Sequence, residues 1–257
     1  MTLIILYANE QYAYVAADRR LTYPDLSIAE NDRTKLLACY QGLVFGFTGR
    51  AFLKRDGEIV SAPMWLAHTM REQEGSDWLD FDRIAAQLTQ TRMGPGGKRL
   101  AFGAVGFVSG NPTSVLVSNM HDDEGSPLLR ARDQYKAFVN SFSGHFFCTL
   151  GGQLSAEAHA MLRERMPVAS SNPKAVPQLL AGAIERSTGR TIGKQSLVTT
   201  MQRNPPPGED SILCETVTPG WRGPRPISDA AMPVFLGAGG FIAAVQHSHR
   251  DWPNGWT

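Results

Sequence analysis

The chain has 257 residues, of which 42% are hydrophobic and 19% charged, so it resembles an ordinary globular protein that can bury a core. Its formal net charge is +1 and it lacks long Lys/Arg runs, which argues against binding to nucleic acid or to an acidic membrane surface. The three cysteines are widely spaced, which argues against a disulfide framework and favours a reducing compartment. No apolar run approaches the ~20 residues of a membrane helix. We therefore expect a cytoplasmic protein without a membrane partner.

Four predicted strands open the chain, because four short segments are rich in β-branched and aromatic residues and are separated by turns. They span residues 3–8, 12–17, 33–40 and 42–49. The first two are apolar on both faces, which is typical of strands that are covered on both sides. The spacing of apolar residues then predicts helices over 61–73 and 77–92. Ser61 is the expected N-cap of the first helix, and Pro63 lies in its first turn.

The same order repeats after the glycine-rich break at residues 93–98. Strands are predicted over 100–108, 113–120 and 138–152, then helices over 155–166 and 173–188, then strands over 194–202 and 211–217. Groups of strands that alternate with pairs of helices fit two antiparallel sheets packed face to face, each covered by a helix pair. We therefore predict an α+β fold, a four-layer α-β-β-α sandwich, as one domain over residues 1–257. Residues 246–257 form a polar tail, and residues 233–245 receive no assignment.

The first two strands bring a hydroxyl towards a carboxylate. If Asn9, Glu10 and Gln11 form a three-residue hairpin loop, Thr2 lies opposite Asp18, whereas a two-residue loop shifts the register by one. A small second residue normally permits removal of the initiator methionine. Thr2 would then carry both a hydroxyl and a free α-amine, whose pKa of about 8 suits a general base. Such a threonine combines nucleophile and base in one residue.

The N-terminal fifth of the chain contains the segments "TLIILYANEQYAYVAADRRLT", "RTKLL" and "LVFGFTGRA". Together these segments resemble the start of a proteasome β-type subunit, a family of N-terminal nucleophile hydrolases. The family pattern is a leading Thr, an Asp-x-Arg-x-Thr after the second strand, a Lys on the next strand and a Gly after the fourth. These positions are Thr2, Asp18, Arg20, Thr22, Lys35 and Gly49.

The resemblance implies a threonine-type peptidase or amidohydrolase. In that reading the Thr2 hydroxyl attacks a carbonyl and its amine takes up the proton. Lys35 favours deprotonation of the hydroxyl. Asp18 holds Lys35, Arg20 orients Asp18, and the Gly49 N–H binds the oxyanion.

The resemblance also implies how a peptide or amide substrate binds. Thr22 would hydrogen-bond an extended substrate backbone, as in strand addition. Phe47 lies two residues before Gly49 and therefore faces the same way, so it should floor a shallow pocket for small side chains. We place Arg33 with these substrate-binding residues. The family further implies a homo-oligomer, with a ring as one arrangement.

The second half of the family pattern is absent. Where the family has a supporting serine, this chain has Gly151 and Gly152, and "STGRTIGKQ" supplies Gly193 but no aspartate. Ser187 and Thr191 are the hydroxyls that could substitute. Two other readings stay open: a catalytically inactive, proteasome-like scaffold or binding subunit, and an amidase that acts on a small-molecule amide.

No cofactor or metal site is predicted. The segment "LGAGGF" lacks the third glycine of a dinucleotide loop, and too little chain follows it for a β-α-β unit. His145 and Cys148 have no second ligand pair, and His247 and His249 lie in the polar tail. No Gly-x-Ser-x-Gly elbow occurs.

The hydrolase reading predicts that Met1 is removed, because only then does the Thr2 amine become free. Intact mass spectrometry of the protein expressed in bacteria should show a mass lower by one methionine. A Thr2→Leu variant, whose large second residue blocks processing, is the control and should keep Met1. Retention of Met1 in the parent protein would contradict the reading.

Overall fold

A computed structural model describes residues 2–22, 26, 28–30, 35–39, 42–73, 79–91, 99–207, 212–217, 234–236 and 242–243. Its strands are β1 (Leu3–Ala8), β2 (Tyr12–Asp18), β3 (Leu21–Thr22), β4 (Ile28–Glu30), β5 (Leu36–Cys39), β6 (Leu43–Gly49), β7 (Phe52–Arg55), β8 (Glu58–Ser61), β9 (Leu100–Val108), β10 (Asn111–Ser118), β11 (Lys136–Ser141), β12 (Phe146–Gly151), β13 (Ser196–Gln202), β14 (Ile212–Val217), β15 (Val234–Leu236) and β16 (Ile242–Ala243). Its helices are α1 (Ala62–Arg71), α2 (Phe81–Gln90), α3 (Ala156–Ala169) and α4 (Ala175–Arg186).

Two large sheets form the centre of the molecule. The first has the order β12-β1-β2-β13-β14, and all its neighbours are antiparallel. The second has the order β11-β10-β9-β6-β5-β15-β16, and its neighbours are antiparallel except for the parallel pair β5 and β15. Strands β3 and β4, and strands β7 and β8, form separate small hairpins.

Three apolar clusters define the layers. One lies between the sheets and includes Ile4, Val15 and Val44. A second joins the outer face of the seven-stranded sheet to α1 and α2 and includes Trp65. A third joins the outer face of the five-stranded sheet to α3 and α4 and includes Leu180. The predicted four-layer α-β-β-α sandwich is confirmed.

The predicted register of the first hairpin is wrong by one residue. Ile4 pairs with Ala17 and Ala8 pairs with Ala13, and the Asn9 N–H donates to the Tyr12 carbonyl at 2.8 Å. The Asn9 side chain accepts from the N–H groups of residues 11 and 12, which closes a tight two-residue loop. Continuing this register puts Leu3, rather than Thr2, level with Asp18.

One other expectation needs correction. The predicted strand over 138–152 is two strands, β11 and β12, which belong to different sheets. Ser61 is the N-cap residue of α1, as expected, although its side chain accepts no cap hydrogen bond, whereas the Ser155 hydroxyl accepts from the Ala158 N–H at the start of α3. The hairpin β7–β8 lies where the sequence analysis predicts no strand, although its Asp56-Gly57 turn, with both φ angles positive, is a strong hairpin signal.

A pair of glycines sets the distance between the large sheets. Gly46 and Gly103 lie directly opposite each other on β6 and β9. A Cβ on Gly46 would lie 2.7 Å from the Ile4 Cγ2, and one on Gly103 would lie 2.2 Å from the Leu150 Cδ1. The two sheets therefore touch at a spot without room for a methyl group.

Gly46→Ala should lower the free energy of unfolding by about 1–3 kcal/mol, because the added methyl overpacks the space between the sheets. Gly182→Ala is the matched control inside helix α4, since a Cβ there meets the flexible end of Arg186 at 3.2 Å and the Met161 side chain at the ordinary contact distance of 3.7 Å. That change should raise stability by up to about 1 kcal/mol through helix propensity. Denaturant unfolding of both variants measures the difference. A Gly46→Ala protein as stable as its parent would show that the two sheets can move apart at little cost in free energy.

Candidate active site

The candidate site is organised around the carboxylate of Asp18, the last residue of β2, which is fully buried. Its Oδ1 accepts from the Leu3 N–H at 2.8 Å. Its Oδ2 accepts from the N–H groups of Arg20 at 3.1 Å and Gly193 at 3.2 Å. The same oxygen lies 3.2 Å from the Lys35 Nζ. A buried carboxylate needs such donors, because they replace the hydration that burial removes.

Lys35 brings a cation to Asp18 from the other sheet. It lies just before β5 and is 2% exposed. Besides its ion pair with Asp18, the ammonium donates to the Arg20 carbonyl at 2.5 Å. Burial lowers the pKa of Lys35, and the negative charge of Asp18 opposes that shift.

Thr2 is held between the two sheets through its backbone. Its carbonyl accepts from the Gly152 N–H at 2.8 Å and from the Thr48 hydroxyl at 3.2 Å. A Cβ at Gly151 would lie 2.2 Å from this carbonyl oxygen, and the φ of Gly151 is +82°, so a side chain does not fit there. Thr2 is 7% exposed and directly precedes Leu3, whose N–H binds Asp18.

The backbone N–H of Arg20 contacts Asp18, and its side chain binds a neighbouring segment. The guanidinium donates to the carbonyls of Gly189 at 2.8 Å and Arg190 at 3.4 Å. It thereby fastens the segment 189–193, whose Gly193 N–H reaches Asp18.

Gly49 ends β6 one residue after Thr48, so it lies at the same end of the sandwich as Thr2. Its φ of +100° requires glycine, and a Cβ would lie 2.1 Å from the Arg99 carbonyl oxygen. The structure therefore brings Thr2, Asp18, Arg20, Lys35 and Gly49 to one region.

The predicted substrate-binding residues are more scattered. Phe47 is 4% exposed and packs against Phe102 with ring centroids 6.3 Å apart, in the cluster beneath α1 and α2. Its backbone N–H donates to the Lys35 carbonyl at 3.2 Å. Thr22 is half-buried on β3, two residues after Arg20. Arg33 lies outside the described residues.

Sequence reasoning missed the groups that hold Thr2 and Asp18 through backbone contacts. Thr48, Gly152 and the N–H of Leu3 have no side-chain pattern that distinguishes them. Ser187, a candidate for the supporting hydroxyl, instead donates to the Ala183 carbonyl at 2.8 Å and accepts from the Ser155 N–H at 3.0 Å. Thr191 lies in the segment that carries Gly193.

Other candidate groups have local partners. The Nδ1 of His145 lies 2.9 Å from the Tyr7 hydroxyl. Cys148 is a free thiol, and burial raises its pKa. Within the described ranges, His, Cys, Asp and Glu side chains do not gather into a group of three that could hold a metal ion. His247 and His249 lie beyond those ranges. Of the four helices described, none is long and apolar enough to cross a membrane.

Neither a protein-family model nor a curated protein matches this chain. Among solved structures, it is similar to the Gly-1 mutant of Anbu from Hyphomicrobium sp. strain MC1, with a TM-score of 0.51 and 12% sequence identity. The match covers 85% of this chain and 87% of that chain. At such low identity the likeness bears on the fold alone. With the two sheets and four helices described above, it shows that this chain has a proteasome-like α-β-β-α sandwich fold.

Proposed function

We propose that the protein is an N-terminal threonine amide hydrolase, a proteasome-like peptidase whose nucleophile is Thr2. The observation that carries the proposal is the buried pair of Lys35 and Asp18, bonded to Leu3 one residue from Thr2. A buried ion pair contributes little net stability, because desolvation offsets the attraction between the charges. Its position beside a candidate nucleophile therefore favours a catalytic role.

The first chemical step forms an ester. After removal of Met1, the free amine of Thr2 takes the proton of the Thr2 hydroxyl, through a water molecule, while the oxygen attacks the substrate carbonyl carbon. The ammonium of Lys35 stabilises the developing negative charge on the attacking oxygen. The C–N bond then breaks, and the proton passes to the departing amine.

The second step consumes water. A water molecule attacks the ester carbonyl, the Thr2 amine accepts its proton, and the acid product leaves with the Thr2 hydroxyl restored. In both steps the carbonyl oxygen becomes an oxyanion, for which the Gly49 N–H is the proposed donor. Preorganised N–H donors of this kind supply several kcal/mol of transition-state stabilisation, about 3–4 in known cases.

The remaining assignments belong to the same proposal. Thr22 and Arg33 contact the substrate, and the protein works in the cytoplasm as a homo-oligomer. The absent family serine and aspartate favour one rival, a scaffold subunit without activity. In this chain the N–H of Gly152 donates to the Thr2 carbonyl and the N–H of Gly193 donates to Asp18.

Lys35→Met should reduce covalent labelling of Thr2 by an epoxyketone or β-lactone probe at least ~100-fold, because the oxygen nucleophile loses its stabilising cation. Lys35→Arg should not restore labelling, since a planar guanidinium does not fit the place of the ammonium. Mass spectrometry quantifies the labelled fraction, and Lys54→Met, at an exposed position on β7, is the control.

Loss of Lys35 alone leaves the Asp18 charge buried, so that variant is also expected to unfold more easily. The double variant Asp18→Asn/Lys35→Met removes both charges, although its amide NH2 then faces one of the backbone N–H donors. It should therefore melt between Lys35→Met and the parent, and it should stay unlabelled. Normal labelling of either folded variant would remove Lys35 from the mechanism. An unlabelled parent protein would favour the scaffold reading.

Phe47 should restrict the side chain that precedes the scissile bond to small residues, because its ring fills the space beside β6. Cleavage profiling with a peptide library should show this preference, and Phe47→Leu should shift it towards larger residues. A parent enzyme that favours large aromatic residues would exclude Phe47 from the pocket.

A further inference from the structure

The last three residues of β6 lie beside three different parts of the candidate site. The Phe47 N–H donates to the Lys35 carbonyl at 3.2 Å. The Thr48 hydroxyl donates to the Thr2 carbonyl at 3.2 Å. Gly49 carries the N–H that is the proposed oxyanion donor. One short stretch of backbone therefore adjoins the cation, the proposed nucleophile and the proposed oxyanion donor.

Thr48 makes its contact through its side chain, which crosses the gap between the two large sheets. Side chains alternate along a strand, so Thr48 faces the same way as Gly46, which approaches Ile4 of the other sheet. Thr48 is 1% exposed, so water does not compete for its hydroxyl. The hydroxyl is therefore a buried donor from the seven-stranded sheet to the residue that precedes β1 in the five-stranded sheet.

The space for this contact is left by Gly151. A Cβ on Gly151 would lie 2.1 Å from the Thr48 Oγ1 and 2.2 Å from the Thr2 carbonyl oxygen. The same carbonyl also accepts from the Gly152 N–H at 2.8 Å, and its two lone pairs can serve both donors. Removal of the Thr48 hydroxyl therefore leaves this carbonyl one donor, and we expect the fold to survive the change.

We propose that Thr48 is a positioning residue whose hydroxyl fixes Thr2 relative to the Gly49 N–H. Its side chain holds Thr2, and the peptide group that joins it to Gly49 contains the proposed oxyanion donor. A single residue thereby links the attacking group to the group that binds the developing charge. A misplacement of about 1 Å between such groups can cost about 100-fold in rate. The catalytic part of this inference rests on the proposed function, whereas the fixing of Thr2 does not.

Amide hydrogen exchange, followed by NMR, tests the fixing of Thr2 without any turnover. The probes are the Gly152 N–H, which binds the Thr2 carbonyl, and the Leu3 N–H, which belongs to the same peptide group. In Thr48→Val both should exchange about five- to tenfold faster relative to the buried Ala16 N–H, because one hydrogen bond is lost. Thr48→Ser keeps the hydroxyl and should restore the exchange rates. Thr48→Ala should behave like Thr48→Val, which excludes the added methyl as the cause.

Labelling of Thr2 by the β-lactone probe tests the effect on the reaction. Thr48→Val should lower the maximal labelling rate constant, kinact, about tenfold and change the half-saturating probe concentration, KI, less than about twofold. Thr48→Ser should recover kinact to within about threefold. A residue that only supports the fold would not produce this split between kinact and KI.

Thr113→Val is the matched control. Thr113 is a threonine of the same sheet, 3% exposed, whose hydroxyl donates to the Asn111 carbonyl at 2.9 Å. It lies opposite Gly106, which pairs on its other side with Leu43 at the far end of β6 from Thr48. The substitution should leave kinact, KI and the exchange of both amides as in the parent. Its melting temperature should fall by about 2–4 °C, as in Thr48→Val.

Unchanged exchange of the Leu3 and Gly152 amides in Thr48→Val would overturn the inference, even if the probe labels Thr2 in the parent. Faster exchange with an unchanged kinact would also overturn it, because the held backbone would then not set the reacting geometry. Faster exchange that Thr48→Ser reverses, in a protein whose parent resists labelling, would support the fixing of Thr2 and contradict only the hydrolase proposal. The two failures are therefore distinguishable.

Discussion

The rest of the candidate site depends on the burial of one carboxylate. Asp18 has no exposed surface, and an isolated buried carboxylate would be too costly to keep its charge. Its oxygens therefore require donors from segments that are distant in sequence: Leu3 at the start of β1, Lys35 before β5 and Gly193 before β13. Satisfying this one group ties both sheets together at the place where the chain begins.

The position of Thr2 follows from this constraint and from close backbone approaches. Leu3 is tied to Asp18, and the Thr2 carbonyl is held by Gly152 and Thr48. Gly151 has no side chain that could push this carbonyl away. The peptide group that joins Thr2 to Leu3 is therefore held at both its carbonyl and its N–H, which limits the freedom of Thr2 and provides the preorganisation that the proposed nucleophile needs.

The chain departs from the proteasome pattern in the polar groups that surround Thr2 and Asp18. The family's supporting serine and aspartate are absent from this chain, and the described donors to Thr2 and Asp18 include the N–H groups of Gly152 and Gly193. Backbone donors hold the carbonyl of Thr2 and the carboxylate of Asp18, but they add no titratable group. In the proposed mechanism, proton transfer therefore depends on the Thr2 amine and on the field of Lys35.

Local patterns were enough to predict most elements. Alternating and continuous apolar runs marked the strands around Thr2, and helical spacing marked all four helices, so the layered fold followed from the order of elements alone. The joint spacing of Thr2, Asp18, Arg20, Lys35 and Gly49 also stood out, because each side chain belongs to a family pattern with fixed separations. The Asp56-Gly57 turn is a further hairpin signal in the sequence.

The tertiary structure decided the features that depend on which distant residues lie close together in the fold. The hairpin register depended on the Asn9 side chain, which closes a two-residue loop that composition could not distinguish from a three-residue one. The separation of β11 from β12 depended on which sheet each could join. The backbone N–H groups that donate to Asp18 and Thr2 could not be identified from the sequence, since every non-proline residue has the same N–H. The sequence by itself therefore determined the fold class and the chemical groups of the candidate site. Packing alone determined the geometry that brings them together, because that geometry satisfies a buried charge with donors far apart along the chain.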